Sequence, residues 1–130
     1  MLLTTTTLYA LPLIAVWLVL WIRVTMIRSA MGCSIGDAGD PRLLLKIRQH
    51  GNFIEWVPLA LLLMILAEAQ GTDALWLNLA GALLLIGRVA HPFGLRVDNA
   101  GHPLRYVGNG TNILATLILA VALLGVLTGF

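Results

Sequence analysis

Residues 46–58 read KIRQHGNFIEWVP and place Arg48, Asn52 and Glu55 four and three residues apart. On a helix that spacing stacks all three on one face. The stretch runs directly into LALLLMILA, so a guanidinium, an amide and a carboxylate lead into sequence apolar enough for lipid. A second charge is placed in the same way: Arg88 follows ALWLNLAGALLLIG. Glu55 stands 13 residues before Glu68, and Arg88 stands 15 after Asp73. These intervals are about 20 and 22 Å of helix, so the two charges arrive at similar depth. An isolated charge there costs at least about 2.5 kcal/mol, which a partner, a ligand or water must offset.

Glu55 and Arg88 are therefore expected to pair. Two readings of the pair stay open: a structural bridge across a helix hairpin, or part of a ligand site. Further groups favour a site. Arg48 and Asn52 occupy the approach to Glu55, His91 is three residues beyond Arg88, and Arg105, Asn109 and Asn112 lie at the corresponding end of the last apolar stretch. A mouth with several cationic donors suits an anionic ligand. His91 precedes Pro92, which can kink a helix and free a carbonyl, so a structural role and a ligand contact are both open for it.

The elements that must carry these residues are membrane helices. Of 130 residues 59% are hydrophobic and 11% charged, with a mean hydropathy of +0.93, well above an ordinary soluble domain. Residues 1–22 and 106–130 contain no charged side chain and are long enough to span a hydrocarbon core of about 30 Å. Residues 56–67 and 74–87 are each too short to cross unless Glu55 and Arg88 enter the membrane as well. Asp40-Pro41 is a helix start, Gly71 a stop, and Thr72 or Asp73 a second start, which makes helices two and three an antiparallel hairpin. The fold class expected is an all-α integral membrane protein, a bundle of four transmembrane helices in a single domain over residues 1–130.

All eight basic residues fall around two connections, Arg23, Arg28, Arg42, Lys46 and Arg48 at the first and Arg88, Arg96 and Arg105 at the third. That bias puts both connections in the cytoplasm and both termini on the opposite side. The first apolar stretch lacks a basic n-region and a clear cleavage site, and is expected to remain as the first span. Asn109-Gly110-Thr111 fits a glycosylation sequon but falls at the cytoplasmic end of span four, where attachment is not expected.

Several alternatives are set aside. The net charge of +2 carries no basic cluster interleaved with aromatics, so no nucleic-acid partner is expected. His50, His91 and His102 share no ligand spacing, and no metal is expected. Cys33, the sole cysteine, has no adjoining His, Lys or Arg and is read as a bystander. The tryptophans are read as lipid-facing packing or interfacial anchors, and Gly125 and Gly129 as weak evidence for assembly.

Arg48-x-His50-x-Asn52-x-x-Glu55 followed by Pro58, Gly87-Arg88-Val89-Ala90-His91, and Leu104-Arg105 together resemble the MAPEG family, membrane-associated proteins in eicosanoid and glutathione metabolism. With Arg23 at the end of span one, the resemblance covers nearly the whole chain. It implies a four-helix protomer, a homotrimer, and a glutathione site between protomers at the cytoplasmic side. By position, Arg23, Arg48, Asn52, Glu55, Arg88 and His91 look like glutathione-binding residues, and Arg105 like the arginine that stabilises the thiolate. Glutathione would be the thiol co-substrate and a hydrophobic electrophile the second substrate, reaching the site from lipid. Gly51, Leu95, Tyr106 and Asn109 depart from the eicosanoid-type pattern, and the Asn-Phe-x-Glu form looks like the bacterial branch, hence an inner-membrane protein.

The resulting expectation is a glutathione-dependent transferase or peroxidase. A non-catalytic lipid- or partner-binding member of the same fold is the first alternative. A four-span exporter using a membrane glutamate is the second, disfavoured by the one-sided arginines and by Arg88 near Glu55.

Overall fold

Asp40 and Asp73 start helices where the sequence places them. In the computed structural model, which describes residues 2–129, Asp40 accepts a hydrogen bond from the Arg42 backbone N–H at 2.7 Å, and Asp73 accepts one from Leu75 N–H at 2.7 Å. Arg42 also clamps Asp40 with its guanidinium at 2.8 Å. These bonds hold the Asp40 carboxyl down at about 2, so the cap stays ionised through the neutral and mildly acidic range. The four helices are α1 (Thr4–Met31), α2 (Pro41–Ala69), α3 (Ala74–Gly94) and α4 (Pro103–Thr128). Each has the length and apolarity to cross a membrane, and no strand occurs among the described residues. The terminal residues of the first and last expected spans, Met1 and Phe130, lie outside the described residues.

The ends of α1 and α4 use devices that local sequence does not advertise. Leu3 offers no capping side chain to α1. Instead Glu68, near the end of α2, accepts from Thr5 N–H and Thr6 N–H, each at 2.8 Å. A carboxylate at a helix N-terminus satisfies two orphan donors and complements the dipole. At α4 the cap is His102, whose Nδ1 accepts from Leu104 N–H ahead of Pro103 at the first turn.

Lipid is as apolar as leucine, so helices in a membrane are held by close fit and polar bonds rather than by hydrophobic exclusion. The buried residues run along single stripes. On α2 they are Phe53, Val57, Ala60, Met64 and Ala67, which meet Leu13 and Leu20 of α1, Leu77, Ala80 and Leu84 of α3, and Ala115 and Leu119 of α4. Many other apolar side chains, such as Leu11, Ile54, Leu59 and Leu117, are exposed and face where lipid or another chain would be. Contacts link α1 to α2 and α3, and α4 to α2 and α3, while α1 and α4 do not pack together.

α3 and α4 are the most closely packed pair. Gly87 and Gly108 make this possible: a methyl group at Gly87 would collide with Thr111, Asn112 and the Gly108 carbonyl, and one at Gly108 would collide with His91. Gly94 lies equally tight against the backbone of Leu104 and Arg105. Gly129, the second of the spaced glycines near the end of the chain, is the left-handed C-cap of α4, with φ 75°. Replacing Gly108 by valine is therefore expected to force α3 and α4 apart and destabilise the bundle by about 1–3 kcal/mol. Thermal unfolding in detergent measures this, and Gly110→Val, at a position with open space around it, should fall well short of that loss.

Candidate functional site

Arg88 is the best-buried cation of the chain, with 1% of its surface exposed. Its Nη1 donates to Asn52 Oδ1 at 2.6 Å and to the Asn52 carbonyl at 3.2 Å, and its Nη2 donates to the Gly108 carbonyl at 3.2 Å. One guanidinium thus ties α3 to both α2 and α4. Nε is buried with no hydrogen-bond partner.

The expected Glu55–Arg88 pair does not form. Glu55 lies on the outside of α2 and pairs with Arg48 at 3.4 Å, with side-chain exposures of 50% and 57%. Helical geometry explains the outcome. Seven residues return to within about 20° of the same direction, so Arg48 and Glu55 align two turns apart; Asn52 is turned about 40° from Arg48 and 60° from Glu55. That offset points the amide at α3 and leaves the carboxylate outside. Gly51 lies beneath the pair, and a methyl group there would come within 4.0 Å of both charged groups.

A second amide, Gln49, is 3% exposed and had no role in the sequence reading. Its Nε2 donates to the carbonyls of Pro92 and Leu95 at 2.6 and 3.3 Å, which ends α3 against α2. It could have been found by extending the buried stripe from Phe53 back by one turn.

Between α2, the end of α3 and the start of α4 opens a cleft of about 370 Å³. Arg48, Asn52, His91, Arg96, Arg105 and Asn109 supply its polar groups, and Leu44, Leu45, Leu95 and Val97 its apolar wall. Four of the residues expected at the site, Arg48, Asn52, His91 and Arg105, meet here. Arg105 is partly fixed, donating from Nη1 to the Ala100 carbonyl at 3.0 Å. Asn109 Oδ1 is buried without a partner. Arg96, counted in the sequence only for its charge, joins from the α3–α4 connection. Asn112 is not in the cleft but fully buried at the α3–α4 seam beside Gly87.

Three expected residues lie elsewhere. Arg88 is behind the cleft, Glu55 outside it, and Arg23 in a separate slot between α1 and α3. The histidines are likewise dispersed: His50 packs on Trp17 with ring centroids 6.3 Å apart, and His102 caps α4. A larger space of about 640 Å³ lies between α3 and α4 at the opposite end. Its wall is largely apolar, with Thr72 and Asp73 at one end and no cationic side chain among its lining residues. The cleft is the candidate site because it gathers three guanidinium groups, an imidazole and two amides without a carboxylate among its lining residues.

The MAPEG family model matches residues 6–125. The inner membrane protein YecN of Escherichia coli strain K12 is 35% identical over 71 residues, 55% of this chain and 54% of that protein. YecN of Escherichia coli O6:H1 matches to the same extent. The alignment thus spans about half the length of these curated relatives. No solved structure matches the chain.

The two positions of the α2 motif are expected to separate in stability measurements. Asn52→Ala removes an acceptor from a buried cation and should cost about 1.5–3 kcal/mol. Glu55→Gln leaves the buried guanidinium fully bonded, breaks only a pair on the outer face of α2, and should cost less. Chemical or thermal unfolding of the two variants side by side decides it, and a larger loss for Glu55→Gln would show that the carboxylate, not the amide, holds the bundle.

Proposed function

The chain belongs to the MAPEG family as a multi-pass protein of a bacterial inner membrane, and we propose that it is a glutathione-dependent transferase or peroxidase acting on hydrophobic electrophiles. The observation that carries this reading is the convergence of Arg48, Arg96 and Arg105 with His91, Asn52 and Asn109 on one cleft at the arginine-rich end of the bundle. Glutathione brings two carboxylates and a thiol. The guanidinium groups offer fixed charge and paired donors to the carboxylates, and the amides offer neutral donors and acceptors.

Arg105 is the residue assigned to the thiol. A guanidinium beside the sulfur favours the thiolate, the nucleophilic form. In conjugation the sulfur forms a bond to the electrophilic carbon, and the leaving group departs with its bonding pair. With a hydroperoxide the thiolate attacks oxygen, the O–O bond breaks to give an alcohol, and a second thiol completes the two-electron reduction. Arg48, Arg96 and Arg105 are the cations of the cleft lining, and stabilisation of the sulfur anion is assigned to them. Orientation of the two reactants supplies the remainder.

Assembly as a homotrimer belongs to the same proposal. Glu55 and Arg48 lie half exposed on an outer face with Ile54, Leu59 and Leu62, all exposed in the single chain. A carboxylate turned toward lipid costs at least about 2.5 kcal/mol. A neighbouring protomer over that face removes the cost and brings Arg48 and Glu55 to the border of the site.

A non-catalytic binding role is the second reading, favoured by one observation: the Arg105 bond to Ala100 commits part of the guanidinium to the α3–α4 connection. The two readings part on turnover. Arg105→Ala is expected to lower kcat/KM for conjugation of a chloronitroarene with glutathione by about 100-fold, the loss typical of a donor that stabilises a developing anion. Sedimentation of the same sample monitors assembly. Glutathione binding without conjugation or peroxide reduction across a panel of electrophiles would favour the binding role.

A further inference from the structure

Of the three cations that line the cleft, Arg96 alone has no hydrogen-bond or salt-bridge partner among the described residues. Arg48 is engaged by Glu55 at 3.4 Å, and Arg105 by the Ala100 carbonyl at 3.0 Å. Asp98, two residues beyond Arg96, is absent from the cleft lining. Arg96 stands on the α3–α4 connection, residues 95–102, which is fastened at both ends. Gln49 donates to the Pro92 and Leu95 carbonyls, and Gly94 lies against the backbone of Leu104 and Arg105. At the far end His102 accepts from Leu104 N–H, and Arg105 holds the Ala100 carbonyl. The backbone that carries Arg96 is thus set, while its side chain is exposed at the mouth of the cleft.

Depth sorts the other polar groups. Arg105 is the third residue of α4 and half-buried. Asn109 lies one turn, about 6 Å, further in, and its Oδ1 is buried without a partner. Asn52 Oδ1 already accepts from Arg88 at 2.6 Å. The inner cleft therefore offers an open acceptor at Asn109, whereas the mouth offers a guanidinium with all its donors free.

The two ends of glutathione differ in the same sense. The γ-glutamyl end carries an ammonium beside its carboxylate and needs an acceptor. The glycyl end is a bare carboxylate and needs only donors. An ammonium placed at Arg96 would meet a like charge, with no carboxylate in the lining to offset it. We propose, on the reading of the cleft as a glutathione site, that Arg96 is a specificity residue that binds the glycyl carboxylate. The γ-glutamyl ammonium is then directed inward to Asn109, with the cysteinyl sulfur between the two ends at Arg105. The planar guanidinium presents paired donors to a carboxylate, a match that an ester lacks. The site thereby selects thiols that carry a free carboxylate on the C-terminal side of the cysteine.

The test compares glutathione with its glycyl monoethyl ester as thiol substrates of the purified full chain, the chloronitroarene being held fixed. Esterification removes the glycyl charge and leaves the thiol and the γ-glutamyl end intact. For the wild type the ester is expected to raise KM about fivefold, the upper range for an exposed ion pair, with little change in kcat. Arg96→Gln is expected to raise KM for glutathione by a similar factor and to make the enzyme indifferent to esterification. A merely structural role for Arg96 would move both thiols together. Arg96→Lys keeps the charge without the fork and should recover part of the discrimination. The wild-type comparison of acid with ester needs no variant to fold. Wild-type conjugation with equal KM for the two thiols would overturn the role of Arg96 alone, as would undiminished discrimination by Arg96→Gln. A folded wild type that neither binds nor conjugates glutathione would overturn the glutathione reading itself, and the role of Arg96 with it.

Discussion

A guanidinium buried among helices with no carboxylate beside it is the constraint on which the arginine-rich half of this molecule depends. Removing a cation from water is expensive, and in a bilayer no solvent is at hand to share the cost. Arg88 is accommodated by three oxygens, two from Asn52 and one from Gly108. Because those oxygens belong to α2 and α4, the bonds that solvate the charge also fix the mutual placement of three helices. The Gly87–Gly108 approach is the steric counterpart: the Gly108 carbonyl lies within reach of Arg88 because neither helix carries a side chain at the crossing.

The cleft follows from that framework. With Asn52 drawn inward and Gln49 holding the end of α3, the first turns of α2 and α4 stand apart around His91, and their arginines line the gap. Five of the eight cations fall into three groups with different work. Arg88 is structural, Arg48, Arg96 and Arg105 surround the cleft, and Arg23 lines a separate slot between α1 and α3. A single-signed cluster of this kind raises the local concentration of anions.

Much of this was legible in the residues. Asp40 and Asp73 marked two helix starts, and the shortfall of uncharged residues after Glu55 and before Arg88 pointed to charge within the helices, which Arg88 supplies from the buried interior. The pairing was not legible, because it depends on azimuth: Asn52 and Glu55 share a face by spacing, but their 60° separation decides which one meets α3. Similarly, Gly87 and Gly108 are on different helices and meet only after folding. Glu68 read as a boundary charge, and its bonds to Thr5 and Thr6 span 63 and 62 residues of sequence. Contacts of that range need the bundle to be assembled before they can be seen.

The central claim is that the arginines of the cleft hold a thiol as its anion, and titration of the purified protein with glutathione near pH 7 tests it most directly. The reference pKa of a thiol is about 8.5, so free glutathione is mostly protonated there. Ultraviolet absorbance of the thiolate is expected to rise and saturate with occupancy of the site, with a proton released to the buffer as each thiolate forms. Saturable binding with no thiolate absorbance and no proton release, in protein that remains folded, would contradict the account.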